Sequence, residues 1–141
     1  MIRKNITINP RAYIQFSDQI KKFYHDEMVK LAELNLKPSQ AQLLHFLSDY
    51  EGLNQQEASN VFGVSTSTMS ELLTGMEKKG CIWREVNQEN KRMTFIRLTK
   101  KGRETASHIR DLFDQYCLSF MKDFTVEEIY EFERLLKKFS R

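Results

Sequence analysis

One stretch, Asn54 to Arg97, limits what this chain can fold into more than any other. It reads as helix, tight turn, helix, then a basic two-stranded hairpin. The first helix is predicted over Asn54 to Phe62. Asn54 and Glu57 have the N-cap and N3 spacing of a capping box, which ties up two orphan amide donors. Gly63-Val64-Ser65 is the turn, with a glycine able to take the left-handed conformation and a valine as apolar plug. Ser65 caps a second helix running to about Lys79. Met69, Leu72, Leu73 and Met76 fall at helical spacing and are expected to face inward. Gly80 ends this helix behind Lys78 and Lys79, cations that suit the negative end of the helix dipole. The pattern is that of a helix-turn-helix with its recognition helix at Ser65–Lys79.

The hairpin is predicted from Cys81 to Val86 and from Arg92 to Leu98. Its tip, Asn87-Gln88-Glu89-Asn90-Lys91, has no apolar residue. A polar-tipped hairpin beside a helix-turn-helix is a wing, an element that lies on phosphates or enters the minor groove. Charge agrees. The chain carries only +3 overall, yet Lys78 to Arg103 holds nine Lys/Arg against Glu85 and Glu89, a local +7. A polyanionic partner would meet one patch, not the whole surface.

The flanks are helical. Asn9-Pro10 starts a helix to about Leu34, with Tyr13, Phe16, Ile20 and Phe23 recurring at three- and four-residue steps. The residues before it, 1–8, read as a loose arm. Pro38 opens a short helix ending near Asp49, with Lys37 at its cap, a residue poor in that role. Thr99 caps a helix to about Asp123. Its first turn holds Lys100, Lys101 and Arg103, three cations that oppose the dipole, which makes phosphate contact a reason for their presence. Thr125 to Glu128 is a second capping box, opening a last helix to Lys138 with Ile129, Phe132, Leu135, Leu136 and Phe139 on its buried side.

The fold class is therefore mainly α with a small β-hairpin wing: a winged helix-turn-helix with N- and C-terminal dimerisation helices. The whole chain, 1–141, is expected to be one domain. Residues 38–98 form its winged unit, and 10–34 and 103–139 its dimerisation helices. The end helices carry more apolar surface than one small winged unit can cover, which implies a homodimer.

Other classes of function find little support. No apolar run is long enough to span a bilayer, and the N-terminus lacks a signal-peptide core. Two cysteines, Cys81 and Cys117, fit a reducing compartment, so a cytoplasmic protein without membrane partners is expected. Cys117 lies mid-helix among aromatics and is expected to be buried and inert. His25, His45 and His108 sit on three different predicted helices, with no paired metal-ligand spacing. There is no phosphate-binding glycine loop and no nucleophile elbow; Glu127 and Glu128 are adjacent on a helix and point apart. No enzyme, cofactor or metal is expected.

Several segments, taken in order, carry a family resemblance: Leu36-Lys37-Pro38-Ser39-Gln40-Ala41-Gln42-Leu43-Leu44, Gly63-Val64-Ser65-Thr66-Ser67-Thr68, Leu72-Leu73 with Met76-Glu77-Lys78-Lys79-Gly80, and Leu98-Thr99-Lys100-Lys101-Gly102. Together they resemble the MarR family of bacterial transcription regulators over about residues 10–139. The resemblance implies a homodimeric winged helix-turn-helix protein that binds palindromic operator DNA and is often released by small phenolic ligands, metals or oxidants. Two positions depart from the family pattern. Lys37 stands where Thr or Ser usually precedes the proline, and Asn90 stands where an Asp usually orients the wing arginine, here Arg92.

The expected partners are thus double-stranded DNA, a second copy of the chain and a small-molecule effector. Ser65, Thr66, Ser67 and Thr68 would face base edges or phosphates; Lys91, Arg92, Lys100 and Arg103 would contact phosphates, with Arg92 in the minor groove. None of the four hydroxyl residues offers a bidentate arginine–guanine contact, so phosphates should supply much of the affinity. The resemblance places an effector pocket between the dimer arms and the winged unit, where Tyr13, Phe16, Tyr24, Met28, His45 and Phe113 are candidate lining residues. The alternative reading is a winged-helix protein–protein interaction module without specific DNA binding. The lack of Arg or Lys in the first two turns of the recognition helix motivates it, and the +7 patch argues against it.

Overall fold

A computed structural model describes residues 9–50 and 52–139 of the chain. The arm expected over residues 1–8 lies outside them. The described elements are α1 (Pro10–Glu33), α2 (Pro38–Asp49), α3 (Gln55–Phe62), α4 (Thr66–Lys78), β1 (Ile82–Val86), β2 (Thr94–Leu98), α5 (Lys100–Phe120) and α6 (Val126–Leu136). The mainly helical winged fold is therefore as expected from the pattern, and most boundaries fall within two residues of it.

The ends of the elements follow local chemistry. Asn9 Oδ1 accepts the Arg11 amide at 3.0 Å at the start of α1. Asn35, at φ 56°, closes α1 in the left-handed conformation, and the Leu36 amide reaches back to the Leu31 carbonyl at 3.1 Å. Lys37 has no acceptor to offer α2; instead Gln40 Oε1 accepts the Lys37 amide at 3.1 Å, the return half of a capping box. The box predicted at Asn54 closes differently from expectation. Asn54 Oδ1 accepts the Glu57 amide at 2.8 Å, but the Glu57 carboxylate accepts from the Asn54 side-chain amide, also at 2.8 Å. One orphan backbone donor is satisfied there, not two. The box at Thr125 and Glu128 is complete, with bonds of 3.2 and 3.1 Å. Helix α5 stops at Phe120, three residues early, because the chain turns through Met121, whose carbonyl accepts the Phe124 amide at 2.9 Å.

Contacts divide the chain into two compact units. The boundaries fall inside helices, at Glu27/Met28 of α1 and Leu112/Phe113 of α5. The central unit holds the rest of α1, α2 to α4, the hairpin and the start of α5. Every described buried apolar side chain belongs to it, among them Leu31, Leu43, Leu44, Leu47, Met69, Leu73, Met76, Ile82, Ile96 and Ile109. Burial at this level stabilises by about 1.5–3 kcal/mol per large side chain. Leu72, expected to face inward with Met69 and Leu73, is only half-buried.

In the hairpin β1 and β2 pair antiparallel, with Trp83 opposite Arg97 and Arg84 opposite Ile96. Ile82 and Ile96 point into the core, while the Ile96 amide donates to the Leu53 carbonyl at 2.9 Å and so fastens the wing to the start of the helix-turn-helix.

The terminal unit contains the first part of α1, the second part of α5 and α6. Its centre is a cluster of rings: Phe23 meets Tyr116 at 5.1 Å and Phe120 at 5.7 Å, and Phe132 meets Phe120 at 6.0 Å and Phe124 at 5.7 Å. Tyr116 also donates its hydroxyl to the Asp26 carbonyl at 2.9 Å. Yet no described residue of this unit is buried. The side of α6 expected to be buried is open in the single chain: Leu135 and Leu136 are exposed, and Phe139 is 85% exposed. No helix among the described residues is long and apolar enough to cross a membrane.

Candidate nucleic-acid interface

The candidate interface centres on the N-terminal turn of α4. Gly63, at φ 65°, reverses the chain after α3, and the Val64 amide closes the turn on the Ser59 carbonyl at 3.1 Å. Ser65 then caps α4: its Oγ accepts the Thr68 amide at 3.1 Å. The same hydroxyl lies 2.9 Å from Thr68 Oγ1 and 3.2 Å from Ser67 Oγ. All four residues, Ser65 to Thr68, are exposed. The buried stripe of Met69, Leu73 and Met76 fixes the other side of the helix in the core, so this first turn has to project outward.

The wing tip is ordered by its asparagines. Asn87 Oδ1 accepts the Glu89 amide at 2.9 Å, and the Met93 amide donates to the Asn90 carbonyl at 2.9 Å. Asn90 Oδ1 accepts the Arg92 amide at 3.2 Å. Asparagine thus sets the backbone at Arg92 without an ion pair, leaving the guanidinium to the exterior. Lys91 and Arg92 are both exposed.

These two parts share one surface. Thr66 and Arg92 line the same open groove of about 210 Å³, together with Asn54, Gln55, Gln56, Met93 and Thr94. The groove joins the start of α3, the start of α4 and the base of the wing. Beside Met93 its lining offers carboxamides and hydroxyls able to donate or accept and one guanidinium suited to phosphate.

A protein-family model described as the MarR family matches residues 34–93, which include every residue of this groove but Thr94. The HTH-type transcriptional regulator MgrA of Staphylococcus aureus is 28% identical over 120 residues, covering 85% of this chain and 79% of MgrA. The chain is similar to the MarR family. Another relative, the uncharacterized HTH-type transcriptional regulator YhjH of Bacillus subtilis, is 28% identical over 126 residues, 84% of this chain and 72% of the relative. Among solved structures, a MarR protein from Peptoclostridium difficile superposes with a TM-score of 0.77 at 23% identity, covering 99% of this chain and 90% of the other. The S. aureus MepR–DNA complex gives 0.76 at 22%, covering 95% and 97%. These likenesses show the shared winged fold.

In this chain the basic patch is less free than its sequence suggests. Arg84 pairs with Glu77 and donates to Thr74 Oγ1 at 3.0 Å and Ser70 Oγ at 3.4 Å. Arg97 pairs with Glu85 at 3.2 Å and lies over the Phe95 ring. The Lys79 ammonium bonds the Asn35 carbonyl and, at 2.8 Å, Gln40 Oε1. Lys101 donates to the Lys79 carbonyl at 2.6 Å. A cation that opposes the dipole of α5 therefore completes the C-terminal end of α4, a packing role that sequence position alone did not suggest.

Of the other expected phosphate contacts, Lys100 is exposed at the start of α5. Arg103 does not join the Thr66–Arg92 groove; it lines a separate small recess with Leu47, Tyr50, Gly52, Ile96, Arg97 and Leu98.

The sequence reading missed Gln55, Gln56 and Arg84. Arg84 had one legible signal, the two-residue alternation of a strand, which puts it on the same face as buried Ile82.

The candidate effector residues fall in both units. Tyr13, Phe16, Tyr24 and Phe113 belong to the terminal unit, and Met28 and His45 to the central one. Tyr13, Phe16 and Tyr24 are each more than half exposed, while His45 and Phe113 are half-buried. His45 faces Asp49 at 3.9 Å.

Cys117, expected to be buried, is exposed, and Cys81 is buried. Partial burial, then Asp114 and Glu27, pushes the Cys117 thiol above its ordinary range, which disfavours the reactive thiolate. Among the described residues no group of three His, Cys, Asp or Glu is placed to hold a metal ion.

Proposed function

We propose that this chain is a sequence-specific DNA-binding transcriptional regulator that acts as a repressor, binds a pseudo-palindromic operator as a homodimer and is released by a small ligand. The observation that carries the DNA-binding reading is the single groove shared by Thr66 of the recognition helix and Arg92 of the wing. With α4 in a major groove, Arg92 follows the phosphates toward the adjacent minor groove, while Gln55 and Gln56 reach the backbone at the start of α3. Ser65 caps the helix, and Thr66 and Ser67 present hydroxyls to base edges. Lys91 and Lys100 extend the cationic surface, and Arg103 supplies charge from its own recess. The named regulators among the relatives, and the DNA in the MepR complex, agree with this reading.

The homodimer rests on the terminal unit, where Tyr13, Phe16, Leu118, Tyr130 and Phe139 are each more than half exposed in one chain. Apolar surface of this extent is stabilised by burial against a second copy. A small ligand would act by changing the spacing of the two recognition helices.

The test is selection from a random duplex library with the purified full chain at two salt concentrations. Enrichment of a palindrome with half-sites one helical turn apart, about 10 base pairs, is the expected result. Salt-sensitive binding without a motif would overturn sequence specificity. No binding at low salt, before and after refolding, would favour a protein-interaction module.

A further inference from the structure

The outer face of α4 can be sorted residue by residue. Met69, Leu73 and Met76 are buried in the core. Thr68 is held by the Ser65 hydroxyl at 2.9 Å. Ser70, Thr74 and Glu77 are all engaged by Arg84, which reaches across from β1. The exposed side chains left in the first two turns are Thr66, Ser67 and Glu71. Glu71 stands four residues after Ser67, on the same helical face and one turn further along. Its carboxylate has no hydrogen-bond or ion-pair partner among the described residues, although Arg84 pairs with Glu77 only six residues on.

An unpartnered carboxylate on the face that meets a polyanion is unfavourable unless the nucleic acid gives it a donor. In the major groove guanine offers only the O6 and N7 acceptors, and thymine offers O4 and a methyl. Cytosine offers the N4 amino donor with no acceptor of its own beside it; adenine pairs its N6 donor with an N7 acceptor. Resting on the DNA-binding reading above, we propose that Glu71 is a specificity-determining residue that accepts a hydrogen bond from cytosine N4 in each operator half-site and rejects guanine at that position. Thr66 and Ser67 can donate or accept, so they tolerate more than one base. Glu71 accepts only, and this makes it the most discriminating group on the helix.

The experiment compares wild-type full chain with Glu71→Gln and Glu71→Ala in the same random-duplex selection, followed by titration of single-base variants of the selected site. Wild type is expected to enrich a fixed cytosine in each half-site, and guanine there should weaken binding roughly tenfold or more. Glu71→Gln should turn that one column to adenine, which a carboxamide can pair through N6 and N7. Glu71→Ala should flatten that column alone and tighten binding to random duplex, because a charge repelled by phosphate is gone. Motifs identical in all three proteins, or an alanine variant that loses every column equally, would overturn the assignment to Glu71 while leaving the regulator reading in place. A wild-type chain that enriches no motif would overturn both. Because Glu71 is exposed, both variants should melt within a few degrees of wild type.

Discussion

Gly102 lies against the carbonyl of Cys81 so closely that a β-carbon at residue 102 would stand 1.9 Å from that oxygen. The contact is backbone to backbone, so no side chain can swing aside. The same Cys81 carbonyl accepts the Thr99 amide at 3.0 Å, and Thr99 Oγ1 donates to the Gly80 carbonyl at 2.6 Å. Here the end of α4, the start of β1 and the start of α5 are locked together. Gly102→Ala is expected to destabilise the chain by about 1–3 kcal/mol, as overpacking does. Thermal unfolding followed by circular dichroism reads this directly; an unchanged melting temperature would mean that α5 can shift away from β1 at no cost.

Asn54 holds the start of α3 through two side-chain bonds to Glu57, and it bridges to Phe95 of the wing. Asn54→Ala should cost about 1 kcal/mol, the usual loss of an N-cap. Denaturant unfolding with a constant slope is the measurement. A loss confined to a few tenths would show that Glu57 finds another donor.

Arg92→Ala is expected to weaken duplex binding at least tenfold and to lower the salt dependence by about one counterion per site, since one phosphate contact disappears. Fluorescence anisotropy against the selected duplex at several salt concentrations checks both. Lys101→Ala should behave differently, because its ammonium is tied to the Lys79 carbonyl: a lower melting temperature with little change in salt slope. Equal salt slopes for wild type and Arg92→Ala would remove the wing from the interface.

Substitutions at Phe120 or Phe132 are a poor probe of dimerisation, because both rings pack inside the terminal unit's own cluster. Leu118 and Tyr130 are exposed in the single chain, at 71% and 68%. Leu118→Asp or Tyr130→Asp should therefore convert a dimer to a folded monomer and cut operator affinity, since two linked half-site contacts become one. Light scattering at micromolar concentration gives the mass. A folded dimer in both variants would place the interface on another face.

Ser65, Gly63, Thr99 and the Thr125–Glu128 box were legible in the sequence because turns and caps are local. Each depends on one side chain meeting a backbone group within a few residues, and spacing alone specifies that geometry. Most of the inward face of α4, Met69, Leu73 and Met76 but not Leu72, was legible for a similar reason, since burial follows the helix period. What failed to show was every contact between distant segments. Arg84 binding Glu77 and Thr74, Lys101 completing the end of α4, and Gln55 and Gln56 sharing a groove with Arg92 involve partners brought together only by packing. Charge counting over Lys78 to Arg103 gave the sign of the patch but not which cations are already spent inside the chain.

The sequence by itself determined the order of elements and the turn before the recognition helix, because these rest on short-range backbone chemistry and on periodicity. Only the tertiary structure decided which side chains stay available to a partner. That availability is a competition between internal donors and acceptors and the exterior. It is settled by distances across the fold: Arg84 reaches Ser70 and Thr74, and Glu71 is left without a partner among the described residues.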